Sequence, residues 1–77
     1  MNLADAQPNT VVTIIDIDAG PGLKARLLGM GFVSGAKLKV IENRDGHIVV
    51  ALDSGYGRVV ALSKGIAKKI IVASSTV

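Results

Sequence analysis

The sequence predicts a mainly β protein: one small, strongly bent barrel of about five antiparallel strands, with a short helix between the first and second. Three observations carry this. Short runs rich in Val, Ile and Leu recur at intervals of roughly 8–15 residues, separated by turn residues. One segment, from Leu23 to Gly31, instead has helical periodicity and ends at a glycine. The chain has 77 residues, too few for a sandwich of two sheets, so bending one sheet is the economical way to share a core and hide its edges.

Taken in order, residues 1–9 are polar and short of pattern and are expected as a flexible arm ahead of a domain spanning 10–73. Residues 10–18 are β-branched and form the first strand, with Ile15 and Ile17 expected on one face and Asp16 and Asp18 on the other. Ala19-Gly20-Pro21-Gly22 ends it. Leu23, Leu27 and Met30 follow at i, i+4 and i+7 and share one helix face, with Lys24 on another. Gly31 supplies a C′ stop, where positive φ costs glycine little, and Gly35 permits a second bend. The second strand covers 37–44, with Leu38 and Val40 inward and Lys37 and Lys39 outward. Asp45-Gly46 predicts a type I′ hairpin turn into a third strand over 47–53. Ser54-Gly55-Tyr56-Gly57 is a second turn, 58–63 the fourth strand, 64–69 a single helical turn and 70–73 the fifth strand. Residues 74–77 are expected as a flexible tail. Strands three and four are apolar on both faces, Val49 and Ala51 opposing Ile48, Val50 and Leu52. A barrel interior cannot hold them all, so either the helix covers one face or apolar surface is left for a partner.

Composition narrows the function. The formal charge is +3, from nine basic and six acidic residues that interleave along the chain; Lys64, Lys68 and Lys69 read as a solvated rim. Phe32 and Tyr56 are the two aromatics, which leaves little for base stacking, so nucleic acid is not an expected partner. No apolar run approaches 18 residues, and the first residues lack a basic start and apolar core. Neither a membrane span nor a signal peptide is expected, and a cytoplasmic location is. With one histidine, no cysteine and no Gly-x-Ser-x-Gly elbow, there is no nucleophile–base pair. Gly20-Pro21-Gly22-Leu23-Lys24 lacks the Gly-Lys-Ser/Thr ending of a phosphate-binding loop. An enzyme is not expected, nor a cofactor. His47, with Glu42 and Asp45 nearby, cannot close a transition-metal site within one chain, which leaves only a site shared between two copies. Asp16 and Asp18 read as the wet face of a strand.

Arg26-Leu27-Leu28-Gly29-Met30-Gly31-Phe32-Val33-Ser34-Gly35 resembles the signature of the FeoA family, small cytoplasmic proteins of bacterial ferrous iron uptake. The same domain recurs as the C-terminal SH3-like module of DtxR-type metal-dependent repressors. Ala61-Leu62-Ser63, Ala67 and Ile70-Ile71-Val72 look like the family's closing strand, turn and strand, so the resemblance runs from about residue 10 to 73. The compact Asn43-Arg44-Asp45-Gly46 turn departs from the Pro-Leu-Gly-Asp-Pro-like loop of many members. The resemblance implies an SH3-like barrel and an accessory or regulatory role in ferrous iron uptake. Its partner would be the cytoplasmic G domain or the membrane part of a GTP-binding iron transporter.

Four residues are candidate partner contacts. Tyr56 lies at a Gly-x-Gly turn tip with little of its own chain to pack on, and Arg58 follows it; tyrosine and arginine are enriched at binding hot spots. Arg26 either fixes the helix-to-strand turn locally or reaches a partner. Phe32, in the turn after Gly31, is either a core anchor or a docking knob. Two other readings stay open: a detached SH3-like module acting in metal-dependent transcriptional regulation, and a homodimer, or weaker homo-oligomer, paired through an exposed strand edge.

Overall fold

A computed structural model describes residues 1–52 and 58–75. β1 (Val11–Ile17), α1 (Pro21–Gly29), β2 (Lys37–Asn43), β3 (His47–Leu52), β4 (Val59–Ser63), α2 (Lys64–Ala67) and β5 (Ile70–Ser74) follow in chain order. The five strands make one sheet in the order β4-β3-β2-β1-β5, each neighbour antiparallel. The expected mainly β architecture, with its helix between β1 and β2, is therefore present. β4 and β5 end the sheet, and the single turn of α2 carries the chain from one to the other.

The core gathers inward-facing side chains from every strand, among them Ile14, Leu38, Val40, Ile48, Val50 and Ile70. Leu27 from α1 and Phe32 from the loop after it complete this cluster. Leu38 and Val40 point in and Lys37 and Lys39 out, as the alternation of β2 predicts.

Two bulges bend the sheet. In β1 the register shifts between Ile14 and Asp16, so Val12, Ile14 and Ile17 all face the core while Ile15 is 50% exposed. Ile15 and Ile17 thus do not share a face: the inserted residue resets the alternation. Ser34 holds the bulge in place, its Oγ donating to the Ile15 carbonyl at 2.9 Å. In β2 the shift falls between Val40 and Glu42, and Ile41 is the residue turned out.

Asp45-Gly46 does join β2 to β3, but not as a type I′ turn. Among the described residues positive φ occurs at Asn9, Gly31 and Gly35 alone. The extra twist a primed turn would supply comes instead from the Ile41 bulge near the end of β2. The Gly46 carbonyl meanwhile accepts from the Lys64 N–H at 3.2 Å, tying the loop to α2.

The N-terminal segment is packed rather than a loose arm. Leu3–Asp5 forms a 3-10 turn, Leu3 is 0% exposed, and Ala4 and Ala6 are buried with it. Backbone bonds fasten it at both ends: the Met1 carbonyl accepts from the Val72 N–H at 2.8 Å, and the Asn9 N–H donates to the Val40 carbonyl at 2.7 Å. The Asn43 side-chain amide donates to the carbonyls of Ala4 (3.0 Å) and Ala6 (2.6 Å). At the other end β5 runs one residue beyond expectation, and the Ser75 N–H donates to the Val11 carbonyl at 3.0 Å.

Candidate docking surface

The placement of α1 follows from its two ends. Gly20 precedes it without a side-chain cap, and Pro21 at the first turn gives up an N–H that would have lacked a helical partner. At the other end the Phe32 N–H donates to the Leu27 carbonyl and the Gly31 N–H to the Leu28 carbonyl, both at 3.0 Å. With Gly31 at φ +96° this is a Schellman closure. It turns Leu27 and Phe32 together into the core and leaves Leu23 and Met30 half-buried beside it.

Those half-buried side chains face β4 and α2 across a groove of about 210 Å3. Leu23, Leu27 and Met30 line its α1 side, and Ala61, Leu62, Ser63 and Ile66 the other. Ser63 belongs to two elements: it ends β4, and its Oγ caps α2 by accepting from the Ile66 N–H at 3.3 Å. Arg26 also lines the groove, and among the described residues no acidic side chain does.

Of the four residues expected to touch a partner, Arg26 and Arg58 are exposed. The Arg58 Nη1 lies 4.0 Å from the point a Cβ on Gly31 would occupy, so it reaches the C-terminal end of α1. The structure thus brings both arginines to the same helix. Phe32 is 0% exposed and is a core anchor rather than a docking knob. It follows the αL residue of the Schellman closure, a position that typically packs back onto the helix. Tyr56 lies outside the described residues. The edge of β4 was not named from sequence; the one available signal was the apolar character of strands three and four on both faces.

A second, shallower hollow of about 420 Å3 lies over Ile41 and the β2–β3 loop. Two of its charges pair with each other: the Arg44 guanidinium is 2.7 Å from Glu42, whose carboxylate is also 3.9 Å from the His47 ring, while Asp45 on the same rim is exposed. Among the described residues no three His, Cys, Asp or Glu side chains gather as a metal cage, and no helix is long and apolar enough to cross a membrane.

A bent five-stranded antiparallel sheet with one helix inserted after its first strand, and a groove beside that helix, is a small SH3-like domain. The FeoA domain model matches residues 1–74, and the chain belongs to that family. The chain is 41% identical over 70 residues to a Methanocaldococcus jannaschii protein named as an Fe(2+) transport protein A, covering 91% of this chain and 82% of that protein. A manganese-dependent transcriptional repressor, solved with manganese, superimposes with a TM-score of 0.87 at 30% identity. The match covers 95% of this chain and 36% of the repressor. Stenotrophomonas maltophilia FeoA, solved with zinc and described as a prokaryotic SH3 domain protein, gives a TM-score of 0.81 over 95% of this chain and 89% of its own. At 20% identity that last likeness bears on the fold alone.

Proposed function

We propose that this protein is a cytoplasmic accessory factor of ferrous iron uptake, acting without catalysis of its own by docking on the GTP-binding membrane transporter. Family membership and the relative named for Fe(2+) transport support the pathway. The docking mode rests on one observation: an open apolar groove beside α1, with Arg26 on it and Arg58 at the helix end. Apolar side chains left at a surface groove and rimmed by arginine are the usual composition of a recognition patch. One face of so small a domain buries about 1,000 Å2 in total, the size class of weak, transient partners. Ferrous iron is the transporter's cargo in this scheme and need not touch the accessory chain.

The test is an amide chemical-shift titration of labelled protein with the soluble G domain of the cognate transporter. Shifts at Arg26, Met30, Arg58 and Ala61 are expected. Unchanged spectra at several hundred micromolar G domain would rule out this docking mode. The likeness to the manganese-dependent repressor supports a second reading, a detached module of metal-dependent transcriptional control. Under that reading the same residues shift with the DNA-binding part of such a repressor and not with the G domain.

A further inference from the structure

The β3–β4 ladder shows which backbone groups of β4 are committed. The Leu52 N–H donates to the Arg58 carbonyl at 2.9 Å, and the Lys64 N–H to the Gly46 carbonyl at 3.2 Å. With Val50 opposite Val60 and Ile48 opposite Leu62, the alternation of an antiparallel ladder turns Val60 and Leu62 toward β3. The N–H groups of Val59, Ala61 and Ser63 therefore point away from the sheet, as do the carbonyls of Val59 and Ala61. No described residue pairs with them.

The other end of the sheet is not open in this way. β5 is covered by the chain's own N-terminus, through the Asn2–Ile71 bridge and the Met1 carbonyl. β4 also lacks the devices that usually blunt an edge: its sequence Val-Val-Ala-Leu-Ser has no charge and no proline, and Val59 is 58% exposed. This same edge forms one wall of the α1 groove.

We infer that the groove takes an extended, acidic–apolar peptide segment of a partner protein as an added sixth strand, antiparallel or parallel to β4. The inference deepens the docking reading and shares its site. Main-chain bonds to Ala61 and Ser63 supply the attachment, since strand addition draws its affinity from an unpaired edge. Alternate side chains of the segment fall on the apolar floor of Leu27, Met30 and Leu62. Charge selects the occupant: Arg26 lines the groove, Arg58 stands near its α1 end, and among the described residues no acidic side chain lines the groove.

The test uses capped five-residue peptides that alternate valine with glutamate or valine with lysine, titrated into the labelled full chain. The glutamate peptide is expected to shift Ala61, Ser63 and Met30 and to slow hydrogen exchange at the Ala61 and Ser63 amides. The lysine peptide is expected to bind at least about fivefold more weakly, and Arg26→Glu to reverse that order. A glutamate peptide N-methylated on its β4-facing residues is expected to lose the exchange protection. Equal binding of the two charges, equal binding after N-methylation, or shifts confined to another face would overturn the inference. So would concentration-dependent shifts of the β4 amides without peptide, which would give the edge to a second copy of this chain. Peptide binding without G-domain binding keeps the groove and removes the transporter; the reverse keeps the transporter and removes strand addition.

Discussion

The Phe32 N–H donates to the Leu27 carbonyl at 3.0 Å, and the side chains of the same two residues lie together in the core. One closure therefore ends α1, fixes its angle to the sheet and sets the width of the groove beside β4. The core and the groove meet at this corner: Phe32 lies wholly inside, Leu27 packs in the core and also lines the groove, and Arg26 is outside.

Gly31→Ala isolates the backbone part of that closure. Among the described residues a Cβ at Gly31 would meet nothing nearer than 3.8 Å, from a Leu52 methyl, so these neighbours leave it room. The φ of +96° is the obstacle, because it crowds the Cβ of an L-residue against its own backbone. Urea unfolding is expected to show a loss of about 1–2 kcal/mol with an unchanged m-value. A loss below a few tenths would mean that the closure relaxes freely.

Phe32→Ala and Arg26→Ala are expected to separate packing from recognition. Removing a fully buried phenylalanine costs about 3–5 kcal/mol, most of the stability of a domain this small. Arg26 is exposed and its side chain makes no hydrogen bond to a described residue, so its removal is expected to change stability by less than about 0.5 kcal/mol. Denaturation curves paired with a partner titration check this: Arg26→Ala keeps the curve and loses the binding. A normal curve for Phe32→Ala would contradict its place in the core.

How far the sequence was legible follows from the range of each signal. The Leu23, Leu27, Met30 spacing and the glycine stop are local, and α1 with its closure lies where they place it. Strand alternation failed at Ile15, since the bulge is held by a distant loop, whose Ser34 Oγ donates to the Ile15 carbonyl and whose Gly35 N–H donates to the Ile14 carbonyl at 2.7 Å. The I′ turn failed because Gly46 is recruited by Lys64, eighteen residues on. Leu3, Ala4 and Ala6 gave too short a pattern to read, and their burial depends on Asn43 and β5. Arg26 and Arg58 were readable as exposed candidates. The β4 edge beside them was not, because edge position is a property of sheet order rather than of composition.

Metal is expected to leave this domain's stability unchanged. His47 has Glu42 as a near carboxylate at 3.9 Å, and two partly exposed ligands hold a transition ion weakly. Equimolar zinc or ferrous iron is expected to leave the thermal midpoint of the monomer within about a degree, since a bound ligand stabilises in proportion to its affinity. A midpoint rise that disappears in His47→Ala would instead reveal a site, and sedimentation at the same metal concentration would tell whether two copies share it.

The N-terminal segment contributes to stability although it lies outside the sheet. Leu3 is fully buried, and the Asn43 amide spans the carbonyls of Ala4 and Ala6. Leu3→Ala is expected to cost about 2–5 kcal/mol, as for other large-to-small core changes. Asn43→Ala removes two hydrogen bonds, each worth about 1 kcal/mol, and leaves two carbonyls to find other partners. The two effects are expected to fall short of additive in the double variant, because both release the same 3-10 turn from the sheet. Hydrogen exchange gives the decisive reading. The Val72 amide, which donates to Met1, is expected to lose protection in either variant while the Val50 amide, in the β3–β4 ladder, keeps most of its own. Uniform loss at both amides would mean that the segment is part of one cooperative unit with the sheet rather than a strap laid across it.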